Sequence, residues 1–394
     1  MGKIVIHIAK EDNKRIYGLE QILVSILGLE LEYIFSGNNT SEYTLEYNGE
    51  CVTFPIYNNF SPQWVNHEWA PEQNIVSIYG NNNSIDIAMS AFYLLSRVEE
   101  VDANADCFDK HGRFMASSSL ACQMGFIDRP MVNEYAELIV NIFTSKGVNL
   151  PVKRQGAKFL YTHDVDILTY EPIIKGMLGD ILKRHDIISA IKRIQNLWHD
   201  EHDTFESLMN MSESRNQKGM FNIMATHYDP NKPISKNYLK KSAFSRMLNK
   251  ITSRGHLLGY HPGYHTSDDE AEWKREREKV EHRVKRQLTV GRQHYLRVFV
   301  PRTLEIWEDN NMNTDSSLGF ADRTGFRCGT GCLYHPYDFR TGRAMSLLEQ
   351  PLIVMDTTME QYEGLTPEQK KERITLYDSL SKKYDMPITL LYHN

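Results

Sequence analysis

Cysteine is scarce in this chain: five among 394 residues, an odd number scattered at Cys51, Cys107, Cys122, Cys328 and Cys332. No Cys-x2-Cys pair occurs, which excludes a zinc ribbon or a dithiol redox motif, and the thiols are expected to be reduced, as in a cytoplasm. Long apolar runs are missing as well; none approaches the roughly 18 residues that a membrane span needs. The start, Met1 to Ile8, has one lysine and a short apolar alternation. It lacks the apolar core and small-residue cleavage site of a signal peptide, so it reads as a first strand and the protein as cytoplasmic. Positive charge is in deficit: 45 basic residues against 51 acidic ones leave a formal net charge of −6, which argues against a general nucleic-acid binder. A GxSxG elbow is absent, which argues against a serine hydrolase, and the glycines at 325, 329 and 331 lack the Lys-Ser/Thr that completes a P-loop.

What is present is an ordinary globular composition, 41% hydrophobic, long enough for two domains. Residues 1–150 read as a small α/β domain of unknown role. Lys3 to Ile8, Glu42 to Tyr47 and Val52 to Tyr57 have strand character, and Asn81 to Ser84 is a loop ending in an N-cap. Helical spacing runs from Ile85 to Val98 and from about Val132 to Phe143, and 149–151 reads as a linker. Thereafter strands and helices alternate. Strands are expected at 158–162, 220–225, 256–260, 295–300, 317–321, 351–355 and 388–392, and helices at about 171–215, 238–254, 268–287, 303–310 and 367–384. The charged helix at 268–287 is read as a solvent face laced with Glu and Arg pairs.

The candidate chemistry falls just after those strands. The run Lys158-Phe-Leu-Tyr-Thr-His-Asp-Val-Asp166 stops on two carboxylates spaced i, i+2, which on a strand lets both point into one cavity while Val165 packs outward. Two such acids repel unless a cation or an arginine sits between them. His261-Pro-Gly-Tyr-His265 supplies two imidazoles on a loop, since Pro262 and Gly263 disfavour a helix. One carboxylate with two imidazoles suits zinc or a similar divalent ion with an open position. Arg327, Asp356 and His393 complete the set at later strand ends, in the pattern of a (β/α) barrel whose site lies on the carboxyl face.

Thr162-His-Asp164-Val-Asp166, His261-Pro-Gly-Tyr-His265, Gly325-Phe-Arg327-Cys-Gly-Thr330, Met355-Asp356-Thr-Thr and Leu390-Leu-Tyr-His393 stand in the order of five family motifs. Together they resemble the polysaccharide deacetylase family, also called NodB-homology or carbohydrate esterase family 4. The stretch from Arg292-Gln-His-Tyr-Leu-Arg297 through Tyr337-Asp338 is similar to a bacterial branch in which an α/β domain precedes the deacetylase domain. The resemblance covers about residues 155–394. It implies a distorted (β/α)7 barrel and metal-dependent removal of an acyl group, usually N-acetyl from an amino sugar. Asp166, His261 and His265 would hold the metal, zinc first and cobalt, nickel or manganese as substitutes. Asp164 would be the general base, Arg327 would steady it, Asp356 would orient the last histidine, and His393 would be the general acid. Val165 splits the aspartates that usually stand side by side in the family. The implied partner is a carbohydrate, with no nucleic acid and no membrane span. Two alternatives stay open at this point: a deformylase or other metal-dependent amidohydrolase acting on a carrier-linked sugar, and a saccharide-binding pseudoenzyme.

Overall fold

The computed structural model describes residues 2–9, 12–37, 41–168, 204–225, 227–229, 232–236, 239 and 242–394. Its packing divides into two compact units, one of residues 1–159 with 295–390 and one of residues 160–294 with 391–394.

In the first unit, Ile4–Ala9 carries buried Ile4, Ile6 and Ile8 at alternate positions, as a strand with one face on a core requires. It runs parallel to Leu31–Ser36 and antiparallel to Glu42–Tyr47, which in turn pairs with Glu50–Pro55. A second sheet orders Phe60–Asn66, Asn74–Asn81 and Ser84–Ile85. The strands Leu31–Ser36, Phe60–Asn66 and Asn74–Asn81 are additions to the sequence expectation. The N-cap of helix Ile87–Ser96 is Asp86, not Ser84: its carboxylate accepts from Met89 N at 3.1 Å and from the buried Arg15 at 2.7 Å. That helix is buried all round, and at Gly18 on helix Asn13–Glu20 a Cβ would stand 2.0 Å from Ala88 O, so only glycine lets the two helices touch.

Residues 295–390 join this unit through backbone and side-chain hydrogen bonds. Phe326 N donates to Ile127 O at 2.8 Å, Val132 N to Gly329 O at 2.9 Å, and Tyr17 OH to His335 O at 2.8 Å. Helix Pro367–Tyr384 begins with a capping box, Thr366 and Gln369 bonding each other's backbone, with proline in its first turn. Two expected strands differ. At 295–300 a short 3-10 turn, His294–Leu296, replaces the strand, because Tyr295 and Leu296 take left-handed φ of 61° and 53°. At 317–321 no strand forms, and pairing falls earlier, Thr314–Asp315 lying parallel to Leu348–Glu349.

The second unit is parallel α/β. Strands Lys158–Val165, Met220–Ile223, Leu257–Tyr260 and Val290–Gly291 pair in that order, each neighbour parallel. The register places Asp164 opposite Asn222, and Asn222 opposite Gly259. At Gly291 a Cβ would stand 1.9 Å from Tyr260 O, so that strand pair closes only on glycine. Helices Phe205–Glu213, Ser242–Ser253 and Glu270–Val284 follow the strands; residues 171–203 of the expected long helix, and the start of the expected helix at 238–254, lie outside the described residues. Helix Glu270–Val284 shows solvent-side pairs of Lys274 with Glu270 and Arg275 with Glu272, but its inner face is anchored. Trp273 is fully buried against Tyr260, ring centroids 5.0 Å apart, and Glu276 accepts from Gly263 N at 2.8 Å. All five cysteines are free thiols, and no described helix is long and apolar enough to cross a membrane.

Candidate metal centre

The strand Lys158–Val165 is exposed at its start and buried from Tyr161 onward, so it delivers Thr162, His163 and Asp164 into a closed interior before Asp166 emerges beyond its end. Strand Leu257–Tyr260 delivers His261, which is 1% exposed. Strand Val290–Gly291 delivers Arg292 and His294, both buried.

These elements bring together one oxygen of Asp166, one nitrogen of His261 and one of His294, all within 4.8 Å of one another. His261 Nδ1 lies 2.6 Å from Arg292 O. A carbonyl only accepts, so Nδ1 carries the proton and the Nε2 lone pair faces the cluster. That Nε2 lies 3.3 Å from Asp166 Oδ1 and 3.8 Å from Asp164 Oδ2; His294 Nε2 lies 3.7 Å from Asp166 Oδ2. Both Asp166 Oδ1 and His261 Nε2 are buried and make no hydrogen bond among the described residues. A buried, ionised oxygen facing an imidazole lone pair is costly unless positive charge stands between them.

The same groups are strongly coupled electrostatically. Burial opposes ionisation of Asp166, yet the His294 and His261 rings hold its carboxyl well below the usual range. Burial likewise opposes the charge on Asp164, but His261, Arg292 and His393 keep its carboxyl low. Burial lowers His261, while Asp164 and Asp166 overcompensate and raise it. A divalent cation between Asp166 and His261 would supply that positive charge, and two imidazoles with one carboxylate are donors that suit zinc.

Asp164 differs from Asp166 in its partners. Its Oδ1 accepts from Asn222 Nδ2 at 2.7 Å and from Arg292 Nη1 at 3.1 Å, and Arg292 also donates to Thr162 Oγ1 at 2.9 Å. Its Oδ2 is turned toward His261. Tyr392 N donates to Thr162 O at 3.1 Å, which ties the chain just before His393 to the same strand.

Of the residues singled out from sequence, the structure groups Asp164, Asp166 and His261, with His393 close enough to lower Asp164. It does not bring His265 into the cluster. Pro262 and Gly263 lead into a 3-10 turn, Tyr264–Thr266, in which Thr266 is buried and bonded to Gly263 O and Gln293. The neighbouring His265 is exposed and is not among the three residues whose ligand atoms converge. His294 supplies the second imidazole instead. Its signal, Arg292-Gln-His294 after the short strand 290–291, was present in the sequence, but not the His-x3-His spacing. Arg327 and Asp356 belong to the first unit. Arg327 donates to both carboxylate oxygens of Glu100, at 2.9 and 2.5 Å, and to Gly319 O at 2.9 Å. Asp356 accepts from Thr357 N at 2.7 Å.

His163, beside Asp164 on the same strand, makes the fold pH-dependent. Its Nδ1 donates to Tyr392 O at 3.1 Å, and its buried Nε2 has no partner, with Gly219 packed so close that a Cβ there would stand 3.1 Å away. Burial therefore lowers its pKa to about 4, although the bond to Tyr392 O opposes the shift. In the unfolded chain the imidazole titrates near about 6.5, so the folded state is fully stable above that pH and loses up to about 3 kcal/mol as pH falls toward 4. Denaturant midpoints from pH 7.5 to 4.5 should show this fall in the wild type and a shallower one in His163→Phe; equal slopes would refute it.

Residues 4–147 match a family described as "Family of unknown function (DUF7033)". No curated protein matches the chain. Among solved structures, the chain is similar to one titled "Crystal structure of putative polysaccharide deacetylase from Mycobacterium smegmatis", at 15% identity, covering 62% of this chain and 79% of that one with a TM-score of 0.38. So loose a likeness transfers neither fold nor function by itself.

Proposed function

We propose that the protein is a metal-dependent hydrolase that removes an N-acyl group, N-acetyl in the first instance, from an amino sugar in a polysaccharide or its precursor. Residues 155–394 are its deacetylase-like part, on a distorted (β/α)7 barrel, and 1–150 its N-terminal domain. One observation carries the reading: the orphaned pair of Asp166 Oδ1 and His261 Nε2, 3.3 Å apart, with the His261 tautomer set by Arg292 O. The five sequence motifs supply the substrate class.

Asp166, His261 and His294 would hold a divalent ion, zinc by donor type. Such an ion supplies Lewis-acid polarisation of the acyl carbonyl and acidifies water. Asp164, held ionised with one oxygen anchored and the other turned inward, takes the proton of the attacking water. The task that the family pattern gives to Arg327 falls to Arg292. His393 returns a proton to the departing amine, a transfer an imidazole performs near neutral pH. The test is metal analysis of the purified protein with acetate release from a panel of N-acetylated saccharides. His294→Ala should lower metal affinity by at least about 100-fold, more than loss of an outer partner does, whereas His265→Ala should retain it. The opposite pattern would return the second imidazole to His265.

A further inference from the structure

The side chain of Asn222 is fully buried beside Asp164 on the neighbouring strand, and nothing in the five motifs includes it. Asp164, Asn222 and Gly259 stand at one level across three parallel strands, so the first two side chains rise from the same face of the sheet. The amide nitrogen of Asn222 donates to Asp164 Oδ1 at 2.7 Å. The reverse orientation would set the amide oxygen against a carboxylate oxygen, so the carboxylate dictates which way the amide points. The other end of that amide, Oδ1, is buried without a hydrogen bond among the described residues. It fits only because position 259 is glycine: a Cβ there would stand 2.1 Å from Asn222 Oδ1.

A buried acceptor left unsatisfied destabilises a fold, and an apolar side chain of similar size would avoid that loss. Stability therefore does not explain the asparagine, whereas its contact with Asp164 does. Arg292 Nη1, just past the strand Val290–Gly291, reaches the same oxygen at 3.1 Å. Two donors on Oδ1 fix the rotation of the carboxylate and leave Oδ2 as the oxygen that faces His261.

We propose that Asn222 is a positioning residue, which with Arg292 selects Oδ2 of Asp164 as the oxygen presented to the reacting water. The proposal rests on the reading of Asp164 as the base. In the full-length protein loaded with zinc, Asn222→Ala should keep its metal content and a KM within about twofold, and lose about 10- to 100-fold in kcat, as expected when a preorganised donor is removed. Asn222→Ser serves if the alanine variant folds poorly. In an Asp164→Asn background the same change should cost nothing further, because Asn222 acts through Asp164. Additive losses, an unchanged kcat, or metal lost together with kcat would overturn the proposal. A crystal structure of Asn222→Ala gives a readout without turnover: the Asp164 carboxylate should rotate, and an unmoved carboxylate would overturn the proposal even for a protein that releases no acetate. Absence of acetate release from the wild type, with a rotated carboxylate in the variant, would instead reject the deacetylase reading and uphold the positioning of Asp164.

Discussion

Asp164→Asn is expected to keep the divalent ion and lose about 10²–10⁴-fold in turnover, the usual size of a general-base contribution. Asp166→Asn is expected to lose the ion. The two carboxylates stand two residues apart on one strand end, yet their surroundings divide the labour. Asp166 presents an oxygen to His261 and another to His294, at 3.3 and 3.7 Å, and its Oδ1 has no other use. Asp164 spends Oδ1 on Asn222 and Arg292, so only Oδ2 remains for chemistry. Amidation of Asp164 removes a proton acceptor while preserving shape and both neighbouring donors. Metal content by mass spectrometry and acetate release at saturating substrate separate the two outcomes. The reverse pattern would exchange the roles, and metal loss in both variants would mean that the pair binds it jointly.

Glu100→Ala is expected to destabilise the first unit by about 3–5 kcal/mol, the range for removing one partner from a buried ion pair. Glu100 bridges two arginines that are 1% exposed, Arg327 through both oxygens and Arg97 at 2.8 Å. Burial alone would raise the Glu100 carboxyl, but Arg327 and Arg97 hold it below the usual range. Arg97 also bonds Arg327 O and Glu99, so the loss of Glu100 leaves two guanidinium groups with less counter-charge in a dry interior. Urea unfolding followed by fluorescence measures the change, and adding Arg327→Met to Glu100→Ala should recover part of it. A change under about 1 kcal/mol would show that the network is hydrated and contributes as little as surface pairs do.

Local pattern carried much of this protein. The i, i+2 carboxylates, the strand before His261 and the helix at 367–384 depend on side chains within a few residues of one another, and the structure reproduces them where the sequence put them. The strand at 158–162 forms where the apolar run stands, but it continues to Val165 and carries Asp164 within it.

What the tertiary structure decided are partners drawn from distant parts of the chain. His294 groups with His261 and Asp166, because a two-residue strand at 290–291 brings Arg292 and His294 alongside Tyr260, while His265, in the 3-10 turn Tyr264–Thr266, is exposed. Arg327 pairs with Glu100, 227 positions earlier, because residues 295–390 pack with the amino-terminal segment in one unit. Asn222 became visible only through the register that sets it beside Asp164. Spacing along the chain encodes which face a side chain takes, but which strand lies next, and therefore which charge it meets, follows from the packing of the whole sheet.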